Sequence, residues 1–450
     1  MKKKIYLGII GAGTVGRKLV HLFYQNKSII ESKIGAGIEI SAVCDASASA
    51  LSRLRAIVES IFKKSHGIKF LTSWQKVVED PKIDIIIELI GGLSPAKEIV
   101  ISALKKNKNV VTANKAVLAE NWDEIFRLAR KSQKLVYFEA SAGAGIPVIQ
   151  ALNEGLAGNR ISSVVGILNG TTNYLLTKMS KDNIEFSGAL KLARKSGFAE
   201  ANPKNDIQGT DTAHKLSILS SIAWSCWIKP SDIYTEGIAG LSVTDIKYAQ
   251  TEFGYVIKLL GVARRMQNKL EIFVRPCLIP ENAPFASVEN EYNAVLIDGD
   301  ACGEIIFYGR GAGGGPAASA VLSDIMFLSR QVAAGTAGRI PYVNYPHTRR
   351  SLKILSVEES SGCYYLRFTT LDKPGVLAKI ADVLAKNSVS IAGVYQKEPL
   401  FQYRGRGRGG VPILMLTHRT KEKNIRLALQ QIDKLPIVKA KTILLRIEGE

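Results

Sequence analysis

The chain has 450 residues, more than one hydrophobic core usually organises, so its length predicts several domains. Hydrophobic residues make up 46% and charged residues 22% of the composition, which excludes a disordered chain and is typical of a globular one. The formal net charge of +20 would suit nucleic acid or an acidic membrane. The lysines are spread over the polar faces of amphipathic segments, however, and we expect neither partner.

Two further features limit the class of protein. The five cysteines are scattered and lack a CxxC pair, which favours reduced thiols, a cytoplasmic location and no disulfide framework or zinc site. No uncharged apolar stretch reaches the length of about 18 residues that a membrane-spanning helix needs. The basic patch Arg404–Arg408 is predicted to lie in a loop, and its role stays open.

The N-terminal part alternates strand and helix patterns. Its first apolar run enters a glycine turn and then an amphipathic helix, so we interpret it as a strand rather than a signal peptide. The alternation predicts the α/β class, with a doubly wound parallel sheet of the Rossmann type. The predicted strands are 4–10, 37–44, 83–89, 109–112 and 134–138, and the predicted helices between them are 50–62, 74–79, 95–106 and 122–132.

The turn after the first strand carries a GxGxxG fingerprint. In this pattern the glycines permit a tight turn and close backbone approach, and a pyrophosphate meets the amide groups at the helix start. The strand before it and the helix after it supply the context that makes a dinucleotide site the preferred interpretation. The predicted cofactor contacts in this turn are Gly11, Ala12, Gly13, Thr14, Val15 and Gly16.

The choice between NAD and NADP stays open. Asp45 ends the second predicted strand, where a carboxylate binds the adenosine ribose and favours NAD. Arg53, Lys63 or Lys64 could instead reach the 2′-phosphate of NADP.

Two later loops follow parallel strands at the edge of the sheet where ligands bind. Ile90 and Gly91 lie in the ELIGG loop, and Lys115 ends the sequence TANK. We predict that Ile90, Gly91 and Lys115 contact the cofactor, with Lys115 at its reacting end. The alternative for Lys115 is a surface lysine that starts a helix.

The turn EASAGAGI, residues 139–146, consists of small residues followed by a proline. Its carbonyl groups could surround a monovalent cation, or it could be a tight turn between domains. The residue chemistry alone favours the second interpretation.

The segment 200–215 places acids and a base close together. Asp211 and Lys215 are four residues apart and share a helix face. The helix continues into the apolar sequence LSILSSIAW, so this face is predicted to point inward, where burial lowers the pKa of a lysine and suits it to proton transfer. The alternative is an ordinary surface ion pair at a helix start. With Glu200 and Asp206, this set would suit a small zwitterion.

The remaining chain predicts a second and a third architecture. A glycine turn leads into an apolar helix within 308–330, and the C-terminal part has the strand and helix order βαββαβ of a ferredoxin-like fold. The predicted domains are a nucleotide-binding domain 1–135, an α+β catalytic and dimerisation domain 136–307, a returning helix 308–330, a linker 331–361 and a regulatory domain 362–450.

The motifs together resemble those of monofunctional homoserine dehydrogenase. They are GAGTVG, ELIGG, TANK, EASAGAGIP, GILNGTTNYLL, GFAEANPKNDIQGTDTAHK and YGRGAGGGPAASAV, and the tail LDKPGVLAKIADVLAKNSVSIAGVYQK resembles an ACT domain. The resemblance implies reversible NAD- or NADP-dependent interconversion of L-homoserine and L-aspartate 4-semialdehyde, in threonine, methionine and isoleucine biosynthesis. It further implies feedback by threonine through the ACT domain and a homodimer or homotetramer.

The same resemblance implies roles for individual residues. Lys215 matches the proton donor, and Lys115 lies where substrate and nicotinamide meet, so each lysine is expected to depress the pKa of the other. Asp211 belongs to this catalytic set. The implied substrate-binding residues are Glu200, Asp206, Asp211, Gly170 and Thr171, Gly313 is a further cofactor contact, and the main-chain carbonyls of Glu139, Ala142, Ala144 and Ile146 are implied to hold Na+ or K+. Cys44 replaces an arginine that many members carry beside the ribose acid, which weakens strict NADP use.

Overall fold

The computed structural model describes residues 4–62, 67–343, 352–396 and 410–449. The basic patch Arg404–Arg408 and the two lysines Lys63 and Lys64 therefore lie outside the described residues. Within the described ranges, no helix has the length and apolar character needed to cross a membrane.

The secondary structure runs in chain order as follows. The strands are β1 Lys4–Ile10, β2 Gly37–Cys44, β3 Lys69–Leu71, β4 Ile85–Glu88, β5 Asn109–Thr112, β6 Val136–Tyr137, β7 Ile161–Ile167, β8 Tyr234–Thr235, β9 Tyr255–Met266, β10 Lys269–Pro280, β11 Tyr292–Gly299, β12 Gly303–Arg310, β13 Lys353–Ile354, β14 Ser361–Thr370, β15 Ile391–Tyr395, β16 Val411–Thr417, β17 Thr420–Lys421 and β18 Val438–Ile447. The helices are α1 Thr14–Gln25, α2 Lys27–Ile34, α3 Ala48–Phe62, α4 Trp74–Glu79, α5 Ala96–Lys105, α6 Lys115–Lys131, α7 Val148–Gln150, α8 Gly170–Lys181, α9 Phe186–Lys195, α10 Lys204–Ile207, α11 Thr210–Ala223, α12 Val243–Phe253, α13 Gly314–Ala334, α14 Val376–Lys386 and α15 Glu422–Ile432.

The chain forms two units, each built from separate stretches of sequence. Unit 1 comprises Met1–Gly170, Asp211–Ile233 and Glu291–Leu352, and unit 2 comprises Thr171–Thr210, Tyr234–Asn290 and Lys353–Glu450. The predicted domain boundaries stay a prediction.

Unit 1 contains a six-stranded parallel sheet. Its strand order is β3-β2-β1-β4-β5-β6, and every neighbouring pair runs parallel. This is the strand order of a doubly wound dinucleotide-binding fold, so the predicted sheet is confirmed. The central strand β4 is buried along its whole length, as expected for a parallel strand covered by helices on both faces.

The sequence patterns missed or misplaced three elements of the nucleotide-binding part of unit 1, namely two helices and one strand. The prediction that a helix begins at residue 122 is wrong, because α6 begins at Lys115, where Asn114 caps it by accepting a hydrogen bond from the Val117 amide. Asn121 interrupts the helical dihedral angles at φ −128°, and this kink explains why only the second half gave a regular pattern. The short edge strand β3 and the helix α2 carry weak periodicity and were not predicted.

Helix α13 packs on the nucleotide-binding part of unit 1. Gly314 at its start approaches α1 closely, since a Cβ there would lie 2.7 Å from Thr14 Cγ2. Apolar residues of α13, including Val321 and Ile325, join the same buried core as β1. Unit 1 also holds the antiparallel strands β12-β11-β7.

Unit 2 joins a long hairpin to a ferredoxin-like module. Strands β9 and β10 pair antiparallel, and the end of β10 pairs in parallel with β18. The module follows the strand order β18-β14-β16-β15, with its helices α14 and α15 packed against the sheet through a core that includes Ile380 and Ile425. This arrangement confirms the predicted βαββαβ order.

Candidate active site

The glycine turn has the geometry that a dinucleotide phosphate needs. Gly11 adopts a φ of +118°, and a side chain on Gly16 would overlap the Gly11 carbonyl oxygen. Gly13 is the N-cap residue of α1. Apart from its chain neighbours, no described atom lies within 4 Å of the place that a Cβ on Gly13 would take. A phosphate can therefore approach the amide groups at the start of α1.

Asp45 is fixed against this turn. Its Oδ2 accepts a hydrogen bond of 2.7 Å from the Ala12 amide, and its Oδ1 accepts one of 2.8 Å from the Ser47 amide. The Gly11 amide in turn donates to the Cys44 carbonyl at 2.8 Å. The carboxylate therefore has a set orientation beside the turn, as a ribose-binding acid requires.

A buried carboxyl group connects the ends of β4 and β5. Glu88 has 0% exposure, and its oxygens accept hydrogen bonds from Thr112 Oγ1 at 2.5 Å and from the Ile90 amide at 2.7 Å. Burial raises its pKa to about 7, although these hydrogen bonds favour the charged form. Glu88 begins the ELIGG motif, but the sequence pattern predicted no role for this acid.

Asn114 extends the connection to Lys115. Its Nδ2 donates to the carbonyls of Ile90 and Gly92 at 2.9 and 2.7 Å, while its Oδ1 caps α6. The loop after β4 and the start of α6 are thus held together by one side chain. Two of the predicted cofactor contacts, Ile90 and Lys115, are positioned by this same network.

Asp211 lies between two lysines. Its Oδ2 forms an ion pair of 2.9 Å with Lys215 Nζ, and its Oδ1 pairs with Lys115 Nζ. Lys215 Nζ also donates to the Leu168 carbonyl at 2.7 Å. The structure therefore brings together the three residues that the sequence predicted as the catalytic set.

The Asp211–Lys215 pair is buried, so it is not the surface ion pair considered as an alternative. The Lys215 and Asp211 side chains are 8% and 5% exposed, whereas Lys115 starts a helix and is 41% exposed. Burial opposes ionisation of Asp211, but Lys215 and Lys115 outweigh it and hold the pKa of the carboxyl well below its usual range. The carboxylate offsets part of the positive charge of the two lysines, and the expected mutual lowering of their pKa values stays a prediction.

Asn169 was missed by sequence analysis. Its Nδ2 donates to Asp211 Oδ2 at 2.8 Å, and the residue is 4% exposed. Asn169 precedes Gly170 in the motif GILNGTT, but an amide in a turn gives no signal of a carboxylate partner 42 residues away.

The other predicted substrate-binding residues are placed within their own units. Gly170 starts α8 in unit 1, where a Cβ would lie 2.7 Å from the Glu291 carbonyl oxygen. In unit 2, Thr171 Oγ1 donates to the Phe198 carbonyl at 2.7 Å, Glu200 is exposed, and Asp206 lies in α10. Their assembly with Lys215 stays a prediction.

The turn 139–146 lies next to two buried acids. The Glu139 amide donates to Asp324 Oδ2 at 2.8 Å, and burial raises the pKa of Glu139 to about 7. Within the turn, Ala144 has a φ of +46°. No cluster of three or more His, Cys, Asp or Glu side chains suited to a metal occurs in the described part of the chain, so a cation here would depend on main-chain carbonyls.

The parallel sheet has an open glycine turn and an acid held at the end of β2, as dinucleotide-binding domains do. The buried Asp211–Lys215 pair adds a group suited to proton transfer. Together these features are typical of a nicotinamide-dependent oxidoreductase. Comparison with known proteins identifies the family. The family model described as "Homoserine dehydrogenase, NAD binding domain" matches residues 11–139, and the one described as "Homoserine dehydrogenase" matches residues 147–326. The chain belongs to the homoserine dehydrogenase family and is an NAD(P)-dependent oxidoreductase.

Individual relatives extend over the whole chain. Homoserine dehydrogenase from Neisseria gonorrhoeae is 41% identical over 99% of both sequences, and that from Pseudomonas aeruginosa is 38% identical with the same coverage. The crystal structure of a homoserine dehydrogenase from Thiobacillus denitrificans has a TM-score of 0.91 and 40% identity over 99% of both chains. A hyperthermophilic archaeal homoserine dehydrogenase in complex with NADPH has a TM-score of 0.60 and 26% identity, covering 72% of this chain and 97% of its own.

Proposed function

We propose that this chain interconverts L-homoserine and L-aspartate 4-semialdehyde with NAD or NADP. The observation that carries the proposal is the contact of the buried Asp211 with the buried Lys215 and with the more exposed Lys115. Two ammonium groups share one carboxylate, so the cluster has a net positive charge. Such a charge stabilises the negative charge that develops on a carbonyl oxygen during its reduction.

Lys215 is the proton-transfer residue in this scheme. In the reductive direction its Nζ gives a proton to the C4 oxygen of the semialdehyde, and in the reverse direction it takes that proton back. The Leu168 carbonyl and Asp211 orient the ammonium group. Lys115 contacts the same oxygen from the cofactor side, and Asp211 keeps both lysines charged and oriented.

The cofactor contacts are proposed for the glycine turn and the loops beside it. The amide groups at the start of α1, next to the glycine turn, would hold the pyrophosphate. Asp45 would bind the adenosine ribose. When bound, the nicotinamide supplies or accepts the hydride. The residues proposed to hold the cofactor are Gly11, Ala12, Gly13, Thr14, Val15, Gly16, Asp45, Ile90, Gly91, Lys115 and Gly313.

Substrate and cation binding rest on the motif matches. Glu200 is proposed to bind the substrate ammonium group, with Asp206, Gly170 and Thr171 shaping the pocket. The carbonyls of Glu139, Ala142, Ala144 and Ile146 are proposed to hold Na+ or K+, because uncharged oxygens suit hard cations.

The C-terminal module is proposed to be an ACT domain that regulates the enzyme in response to threonine. Its ferredoxin-like strand order supports this proposal. We further propose a cytoplasmic homodimer or homotetramer, without nucleic-acid or membrane partners, that acts in threonine, methionine and isoleucine biosynthesis. The sequence-predicted domain boundaries belong to the same proposal.

Replacing Lys215 tests the proposed proton transfer. We expect Lys215→Ala to lower kcat by at least about 100-fold, in the range typical of a lost acid–base group. The affinity for NADH and NADPH, measured by fluorescence titration, should stay unchanged. The exposed Lys195 provides a matched control, since Lys195→Ala should keep full activity. A Lys215→Ala enzyme with activity within a few-fold of the unaltered enzyme would refute the assignment.

A further inference from the structure

Helix α6 divides into two parts at Asn121. This residue has φ −128° and ψ 23°, outside the helical region, and its Nδ2 donates to the Val117 carbonyl at 3.0 Å. A side chain that enters the ladder of helical hydrogen bonds is a common cause of such a kink. The first part of α6, residues 115–120, begins with Lys115. Because the helix is interrupted, the direction of this first part depends on the contacts that it makes itself.

Trp227 makes one of these contacts. Its Nε1 donates to the Ala119 carbonyl at 3.0 Å, within the part of α6 that carries Lys115. Trp227 lies in the loop that follows α11, the helix of Asp211 and Lys215. The bond therefore connects the two helices whose lysines share the Asp211 carboxylate.

The loop that carries Trp227 is fixed to α11 through the next residue. The Ile228 carbonyl accepts a hydrogen bond from Ser217 Oγ at 2.5 Å, and the Ile228 amide donates to Ser221 Oγ at 3.0 Å. Both serines are 1% exposed, so water has little access to these bonds. Ser217 and Ser221 lie about one turn apart on α11. The indole N–H of Trp227 is therefore attached firmly to the helix of Lys215.

A second contact joins the same parts of the two helices. His214 directly precedes Lys215, and its Nε2 lies 3.3 Å from Glu120 Oε1. An ionised carboxylate only accepts hydrogen bonds, so the imidazole N–H is the donor. The Glu120 side chain is 43% exposed, and exposed contacts of this kind contribute little. The bond of Trp227 is therefore the stronger of the two.

We propose that Trp227 is a positioning residue for Lys115. Its bond to α6 holds the first part of this helix at the distance from α11 at which the Lys115 ammonium meets the Asp211 carboxylate and the reacting oxygen. The contact of His214 with Glu120 supports the same placement. This role rests on the proposed function, since it concerns the rate of that reaction. A displacement of about 1 Å is enough to weaken catalysis strongly.

Replacing the indole tests the role of its N–H group. Trp227→Phe keeps an aromatic ring but cannot donate to Ala119. We expect kcat for L-homoserine oxidation to fall at least about 5-fold, while the dissociation constant of NADH, measured by fluorescence titration, changes by less than about 2-fold.

Trp224 provides the matched control. Its Nε1 donates to the Ile161 carbonyl at 3.1 Å, at the start of β7 rather than on α6. Trp224→Phe therefore loses an equivalent hydrogen bond and should keep kcat within about 2-fold of the unaltered chain. Equal kcat values for Trp224→Phe and Trp227→Phe would overturn the proposal.

A double-mutant cycle tests whether the effect passes through Lys115. The background is Lys115→Ala, measured at enzyme concentrations high enough to follow its residual turnover. In this background Trp227→Phe should lower kcat by less than about 2-fold, because the group that it positions is gone. A general structural role of Trp227 would give the same loss in both backgrounds, and that result would overturn the proposal.

Two exposed acids of α6 provide a second pair of variants that leaves the core intact. Glu120 lies before the kink, whereas Glu124 lies after it and pairs with Lys97 at 2.8 Å. Glu120→Ala should lower kcat about 2- to 5-fold, in the range of an exposed charged contact, and Glu124→Ala should leave kcat unchanged. If Trp227→Phe does not fold, equal kcat values for these two variants would overturn the proposal.

The same measurements separate the positioning role from the proposed function. A chain that does not oxidise L-homoserine would refute the proposed function. A chain that oxidises it with the same kcat before and after Trp227→Phe would refute the positioning role alone.

Discussion

Asn169 orients the carboxylate on which the two lysines depend. Its amide donates to the same Asp211 oxygen that pairs with Lys215. Hydrogen bonds to charged groups contribute about 1.5–3 kcal/mol, so we expect Asn169→Ala to lower kcat about 10- to 100-fold. Steady-state kinetics check this, with Asn159→Ala as the control, since the Asn159 side chain binds Leu156 and Cys302 instead. Equal kcat values for the two variants would rule out the orienting role.

Glu88 makes the stability of the enzyme depend on pH. Its pKa in the folded chain is about 7, above the value of about 4.3 expected when unfolded. The raised pKa means that its contribution is fully present below about pH 4.3 and is lost as the pH rises through about 7. From pH 5 to pH 8 the unfolding free energy therefore falls by about 3 kcal/mol through the ionisation of Glu88.

We therefore compare the unfolding free energy of Glu88→Gln with that of the unaltered chain. The value for the variant minus that for the unaltered chain should rise by about 3 kcal/mol from pH 5 to pH 8, because glutamine does not ionise. Urea unfolding at several pH values measures this difference. A difference that does not change with pH would show that Glu88 keeps an ordinary pKa.

The proximity of the three residues proposed as catalytic was predictable because they carry charge. Asp211 and Lys215 share a helix face through their spacing, and Lys115 follows a parallel strand, so both positions follow from local patterns. Asn169 and Glu88 were not predicted, since their partners are set by tertiary packing. Glu88 ends the otherwise apolar strand β4, and this position could have indicated a buried acid.

At the level of elements, the parallel sheet followed from its alternating pattern. The strands β1, β2, β4 and β5 are rich in apolar and β-branched residues, and most of their residues are buried. The three-residue strand β3 is too short to show a period, and its place depends on pairing with β2. The start of α6 was hidden because Asn121 breaks the helical repeat.

Buried ion pairs attach the C-terminal module to the hairpin of unit 2. Arg446 on β18 is 2% exposed and binds Glu271 on β10 at 2.9 Å and Glu448 at 2.7 Å. Removing one partner of a buried pair leaves an uncompensated charge, which costs about 3–5 kcal/mol. Arg446→Met should therefore lower the unfolding free energy by about that amount.

Arg265 in the same hairpin provides the control for this substitution. It is exposed and contacts only the nearby Gln267 carbonyl among the hydrogen bonds of the described residues, so Arg265→Met should change the unfolding free energy by less than about 1 kcal/mol. Urea unfolding of both variants makes the comparison. Equal losses for both arginines would contradict a structural role for the buried ion pair.

At the scale of the whole molecule, the chain returns to each unit several times. Segments as distant as Asp211–Ile233 and Glu291–Leu352 complete unit 1. A glycine turn before an apolar helix predicted the return of residues 308–330, but no local pattern indicated that Asp211–Ile233 belongs to the same unit. The family could be predicted, because seven motifs in a fixed order are far more specific than any one of them.

The most direct test of the account is the initial rate of L-homoserine oxidation by the purified full chain, followed by the absorbance of the reduced cofactor. We predict turnover with NAD or NADP, and loss of that turnover by at least about 100-fold in Lys215→Ala. D-Homoserine serves as the control for recognition of the substrate ammonium group and should react far more slowly. A folded, cofactor-binding chain that leaves L-homoserine unchanged with both cofactors would contradict the account.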